Sequence, residues 1–262
     1  MNVDDLLDVE GIPDRELLED LKQVILQADA LKPRSLQKAL GPSEVGHPCE
    51  RRLAYGTVAA RKNNLAPMER GLNRFNDPLA AIIGTAMHTW LEEAVRLANE
   101  ALGRVRWIPE QKVEIRPGLS GTCDLYDVDT RSVLDWKVPG ADRHKHYVTY
   151  GPGEVYEAQA HLYGAGYIQQ YGLPVEKVGI VFLSRTGGLR NTHLWRADYN
   201  PALVQKVLDK LDRVDGHIEK LNLMANPNGF QYVDIAPNKD CSYCPWFSPK
   251  PEGAYQCNAG RG

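Results

Sequence analysis

No apolar run in this 262-residue chain approaches the roughly 20 residues that a membrane-spanning helix needs. The longest candidate, Leu79–Met87, is cut off by His88. The chain also lacks a G-x-x-x-x-G-K-[ST] phosphate loop, so nothing in it marks a P-loop nucleotide hydrolase. There is no internal repeat and no low-complexity block. Basic charge is not in excess either, since 31 Lys and Arg against 34 Asp and Glu leave a formal net charge of -3. That total does not announce a polyanion binder, yet binding needs only a local patch, and Arg51-Arg52 and Arg143-His144-Lys145-His146 are two such groupings. Cysteine is scarce, at five residues. The first residues are acidic (Asp4, Asp5, Asp8), the opposite of a secretory leader. The expected compartment is therefore a reducing cytoplasm, where thiols or metal ligands are expected rather than a disulfide framework.

Periodicity and punctuation give the organisation. Glu16–Leu31 reads as an amphipathic helix ended by Lys32-Pro33, and Pro42–Lys62 as another, opened by a Pro-Ser step. Asn63–Asn76 is polar and reads as a loop. Asp77-Pro78 starts a long helix to about Leu102, with Ile83, Met87, Trp90, Leu91, Ala94 and Ala98 on its apolar side. Strand patterns follow over Val105–Ile115, Ser120–Val128 and Arg131–Val138. A helix then spans Gly151–Tyr171, a strand pair Val175–Ser184 and Asn191–Ala197, and a closing helix Pro201–Met224. This order implies one α/β core with a mixed sheet flanked by helices. The expected division is a helical region over 1–76, the core over 77–225 and a Cys-, Pro- and Gly-rich segment over 226–262, which lacks periodicity and needs a staple.

The most informative segment is the hairpin. If Asp129-Thr130 is a two-residue turn, Val128 faces Arg131, and counting back sets Asp124 opposite Asp135. Cross-strand partners share a face, and Lys137 shares it two residues on. Two facing carboxylates repel unless something positive lies between them. A hard divalent cation such as Mg²⁺ or Mn²⁺ suits oxygen ligands, and a lysine beside it suits phosphodiester hydrolysis. The alternative is a solvated surface turn. Cys123 alternates with Asp124 and is assigned to the packed side.

Cys241-Ser242-Tyr243-Cys244 is a C-x-x-C turn, Cys257 follows, and Cys49 stands far upstream. Four thiolates could close a zinc site or hold an iron–sulfur cluster, clasping the N-terminal helical region to the tail. His88, beside its helix's apolar stripe, is either a satisfied core histidine or a further metal ligand. Gln159 and Tyr163 share a helix face. They suit either core packing or a nucleotide contact through an amide and a stacking ring.

Taken in order, Gly84…His88, Gly121-Thr122-Cys123-Asp124, Asp135-Trp136-Lys137, Gln159…Tyr163 and the cysteine group resemble the RecB-like branch of the PD-(D/E)xK nuclease superfamily. They are most similar to the CRISPR-associated exonucleases and their phage-encoded relatives that carry a 4Fe-4S cluster. The resemblance implies the restriction-endonuclease-like core of that superfamily and a metal-dependent DNA exonuclease acting on single-stranded ends, in recombination, repair or processing. It implies that His88, Asp124, Asp135 and the carbonyl of Trp136 bind Mn²⁺ or Mg²⁺, and that Lys137 is the catalytic lysine. Gln159 and Tyr163 would be the family's QxxxY motif, and Cys49, Cys241, Cys244 and Cys257 the cluster ligands. The spacing from Cys244 to Cys257 is longer than is typical of these relatives, which keeps zinc as an alternative. Glu110 and Glu114 could support the metal or a substrate contact, or belong to a solvated strand face. Competing readings are a non-catalytic iron–sulfur DNA-binding or assembly subunit and a zinc-stapled endonuclease. DNA is the expected partner, with a helicase or a recombination or integration protein beside it and a homo-oligomer compatible. The expected place is the cytoplasm, that of the host for a phage-encoded chain.

Overall fold

A computed structural model describes residues 14–31, 40–62, 77–237 and 239–259. Among them, five strands form one mixed sheet in the order β1-β2-β3-β4-β5: β1 (Trp107–Arg116), β2 (Leu119–Asp127), β3 (Ser132–Lys137), β4 (Lys177–Phe182) and β5 (His193–Asp198). The β3–β4 pair is parallel and the others antiparallel. The parallel step needs a crossover, and the chain supplies α5 (Ala141–Tyr150) and α6 (Glu154–Tyr171) there. No helix among the described residues is long and apolar enough to cross a membrane.

Helix α6 is the central support. It packs against β1, β2, β3 and β4 and carries α2 (Pro42–Val45) and α7 (Pro201–Lys220) on its flanks. Its small residues permit this. A Cβ at Gly166 would fall 2.8 Å from the Cβ of Val113 on β1, and one at Gly46, after α2, within 2.9 Å of the backbone of Val155. Tyr167 of α6 stacks on Tyr126 of β2 with ring centroids 4.9 Å apart. Cys123 is fully buried, on the packed side as expected.

Three expectations change in detail. The helix expected over Pro42–Lys62 is two pieces, α2 and α3 (Glu50–Arg61), because Pro48 has no N–H to continue the ladder and Gly46-His47 turns the chain. The turn between β2 and β3 takes four residues rather than two. The Asp127 carboxylate accepts from the Asp129 N–H and the Thr130 hydroxyl, and Arg131 takes a left-handed φ of 47°. The register is unchanged, since Leu125 pairs Leu134 and the next step outward sets Asp124 against Asp135. Finally, α1 (Asp14–Leu31) and α4 (Leu79–Leu102) form as expected, with Asp77 Oδ1 accepting from the Leu79 N–H. The apolar side of α4 is not core, however: no residue of that helix is buried. The loop expected over Asn63–Asn76 lies outside the described residues.

The tail folds back on α3. Tyr55 packs among Phe230, Trp246 and Tyr255, with centroids 4.3, 5.1 and 6.2 Å away. Arg51 donates from Nε to the Val233 carbonyl at 2.9 Å and from Nη2 to that of Gln231 at 2.8 Å. The unperiodic tail is thus held by aromatic burial and one guanidinium.

Candidate active site

Past Leu125–Leu134 the hairpin ladder gives way to a side chain. Asp124 turns its Oδ2 to accept the Trp136 N–H at 2.7 Å, which satisfies a backbone donor of β3 and aims Oδ1 at α4. There His88 brings Nδ1 to 3.3 Å from Asp124 Oδ1 and 3.9 Å from Glu110 Oε1. Glu110 lies on β1 opposite Asp124 in the β1–β2 register, and it takes a left-handed φ of 48° inside a strand. That conformation is costly for a residue with a Cβ, and it takes the side chain out of strand alternation. One ligand atom from each of His88, Glu110 and Asp124 lies within 4.8 Å of the others, a nitrogen and two carboxylate oxygens suited to a hard divalent cation. The Asp124 and Glu110 carboxylates accept from the protonated imidazole and push its pKa up to about 10, so without a cation this cluster balances its charge with a proton.

Asp135 sits beside this group but is spoken for. It is buried, its Oδ1 accepts from Gln159 Nε2 at 3.0 Å, and its Oδ2 pairs with Lys137 Nζ. Burial raises the Asp135 pKa above the usual carboxylate range, against the opposing pull of Lys137. The Lys137 ammonium lies 5.0 Å from the ring centroid of Tyr156, in half-buried surroundings.

The structure places His88, Asp124, Asp135, Lys137 and Gln159 next to one another, and among side-chain ligand atoms it is Glu110 rather than Asp135 that converges with His88 and Asp124. Trp136 contributes its N–H to Asp124. Gln159 and Tyr163 are only 4% and 5% exposed, and the Gln159 amide also donates to the Tyr163 hydroxyl at 3.3 Å. The pair is placed to hold Asp135 rather than to stack on a nucleotide. Burial raises the Tyr163 phenol, which keeps it neutral. The signal for Glu110 was its place on the neighbouring strand; what spacing alone could not reveal was the left-handed turn of its backbone.

Cys49, Cys241, Cys244 and Cys257 line one pocket that shares no lining residue with this site, with Arg51, Arg52 and Trp246 around them. No disulfide joins any of these cysteines. Arg51 Nη1 points at Cys257 Sγ from 4.0 Å, and the Ala259 N–H donates to the same sulfur at 3.3 Å. Among the described residues no three of the thiols come within 4.8 Å of one another.

No protein-family model and no curated protein matches the chain. Solved structures resemble it at a distance. An alkaline exonuclease from Laribacter hongkongensis aligns at 16% identity and a TM-score of 0.47, covering 72% of this chain and 93% of that one. Its complex with dAMP aligns at 15% and 0.49, covering 73% and 95%. A phage-related exonuclease from Haemophilus somnus aligns at 14% and 0.42, covering 63% and 82%. At that distance the chemistry of the site rests on this chain's own residues.

Proposed function

We propose that this protein is a divalent-metal-dependent deoxyribonuclease, an exonuclease acting on single-stranded DNA ends. The observation that carries this reading is the convergence of His88, Glu110 and Asp124 beside the pair of half-buried Lys137 and buried Asp135. Mn²⁺ or Mg²⁺ held by those three residues would supply Lewis acidity and offset the charge of a phosphodiester. Lys137 offers N–H bonds to a phosphate oxygen as negative charge develops there, in a half-buried setting where such bonds act strongly. Asp135, with its pKa held up by burial, is suited to exchange a proton near neutral pH through its pairing with Lys137. In the net reaction a water O–P bond forms and the P–O bond to the leaving nucleotide breaks. Gln159 and Tyr163 are positioning residues that fix the orientation of Asp135.

The cysteine cavity is proposed to hold a 4Fe-4S cluster. Four thiols and two arginines suit a thiolate-rich, net negative group. The cluster would then complete the clasp between α3 and the tail, joining the helical region to the segment after the core.

End-labelled single-stranded DNA incubated with Mn²⁺ tests the nuclease. Metal-dependent release of nucleotides from an end is expected, and persistent activity in Lys137→Ala would overturn the mechanism. Iron and acid-labile sulfide in anaerobically purified protein are expected; stoichiometric zinc in their place would overturn the cluster.

A further inference from the structure

The unburied side of α4 forms one wall of an apolar groove. Ile83, Met87, Trp90 and Leu91 line it from α4, and Leu183 and Leu189 from the connection between β4 and β5. No charged side chain lines it. Two large apolar groups stand in it far out of any core, Trp90 at 66% exposure and Leu189 at 85%. A contiguous patch of this kind on a soluble domain marks an interaction site.

Its position limits what can fill it. Met87 is the residue before His88, so the groove begins beside the metal-binding group. On the other wall, Leu183 donates its N–H to the Lys137 carbonyl at 2.8 Å, so that side extends directly from the strand pair carrying the lysine. Exposed Arg185 and Arg190 flank Gly187-Gly188 in sequence, so the connection that lines the groove also carries positive charge while the lining itself is uncharged. Cationic groups on that connection for phosphates, a floor for flat apolar faces and an inner end at the hydrolytic residues match a nucleic-acid strand whose bases are unpaired. Base–aromatic stacking tolerates any sequence because every base has a π-face. The half-buried Met87 can slide against such a ring. A base inside a duplex is stacked on both faces and has none to offer Trp90, whereas every base of an unpaired strand can turn one toward it, so the groove also discriminates between strand forms.

We infer that the groove between α4 and the β4–β5 connection binds the unpaired bases of the DNA strand, with Trp90 as the stacking residue that sets preference for single strands. This inference rests on the nuclease reading for the meaning of the groove's inner end.

The experiment compares the full-length protein with Trp90→Ala and Trp90→Phe. A single-stranded oligonucleotide carrying 2-aminopurine is titrated in chelator, so that binding is read without turnover. Hydrolysis of the oligonucleotide and of a base-free diester, an abasic tetrahydrofuran oligomer without aromatic rings, is then followed with Mn²⁺, and mass is measured by light scattering. Trp90→Ala should weaken oligonucleotide binding by about fivefold or more, the loss expected for one stacked base, and abolish the 2-aminopurine quench. Trp90→Phe should retain most of both. Base-free diester hydrolysis and mass should not change. Unchanged oligonucleotide affinity in folded Trp90→Ala would overturn the inference. So would a drop in mass, which would show that a second copy covers the groove. If the wild type hydrolyses neither substrate but the quench still depends on Trp90, the groove stands and the nuclease reading falls. If both substrates are hydrolysed but neither the quench nor affinity depends on Trp90, the nuclease reading stands and the groove falls.

Discussion

Gln159 Nε2 donates to Asp135 Oδ1 at 3.0 Å across the interface of α6 and β3, with both side chains out of solvent. A buried carboxylate oxygen in the path of a lysine needs its second oxygen fixed, and a lost donor leaves that oxygen unsatisfied. Gln159→Leu is therefore expected to lower kcat by roughly 10- to 100-fold, the usual cost of losing a supporting partner at a metal site. KM for DNA should move little, because the glutamine faces the protein interior. Steady-state kinetics check this; a change confined to KM would instead assign Gln159 to substrate contact.

Glu110 should matter for metal and not for the fold. Glu110→Gln retains the shape and removes one charge of the three-residue group. The concentration of Mn²⁺ giving half-maximal activity should rise about 10- to 100-fold, while thermal stability of the metal-free protein should fall only slightly, because Asp124 still pairs with the protonated His88. Calorimetric titration of Mn²⁺ reads the affinity directly.

The proton on His88 gives a pH signature. Its folded pKa, about 10, exceeds the ordinary 6.5 because Asp124 and Glu110 bond to the charged form. A raised folded value adds stability that is fully present below pH 6.5 and is lost as pH rises through about 10. Metal-free protein should accordingly lose stability across that window, and saturating Mn²⁺ should flatten the loss. Cation binding must also expel the proton, so titrations at pH 7 in buffers of different ionisation enthalpy should show close to one proton released per metal from this residue. Absence of any proton release would mean that His88 is not a ligand.

Arg51 should couple the tail to α3. Its fork bonds the carbonyls of Gln231 and Val233, and its own N–H donates to the Asp234 carbonyl. Arg51→Met leaves two carbonyls without their charged donor, an expected loss of about 2–4 kcal/mol from charged-group hydrogen bonds. Hydrogen exchange should quicken over 227–257 and leave β1–β3 unaffected. Iron content should fall with it if the cavity holds the proposed cluster.

The extent to which the sequence foretells these features follows from which of them depend on counting. Asp124 opposite Asp135 is legible because strand register is an arithmetic property, and a change from a two- to a four-residue turn, with both strands shortened by one, leaves the sum of paired numbers intact. The split of Pro42–Lys62 is written in Pro48 but outweighed by the flanking apolar pattern. Helix α5 leaves no such trace. Its Arg143-His144-Lys145-His146 run has no apolar period, and Tyr147 is its only buried residue, stacked on Phe182 at 4.7 Å. The duty of Gln159 is hidden because an amide facing a core and one facing a ligand have the same neighbours in sequence. The exposure of α4 is hidden for the converse reason, since an apolar stripe looks alike whether it meets the protein's own core or an incoming molecule.

The left-handed backbone at Glu110 carries a further implication for how this protein could be altered. Glycine is the residue that conformation prefers, and replacing a strained residue by one that fits removes a cost of about 1–2 kcal/mol. Selecting variants of this protein for heat resistance alone should therefore favour Glu110→Gly, yielding a sturdier molecule that has given up a cation ligand. A screen that rewards folding without rewarding turnover would erode the site at this position first.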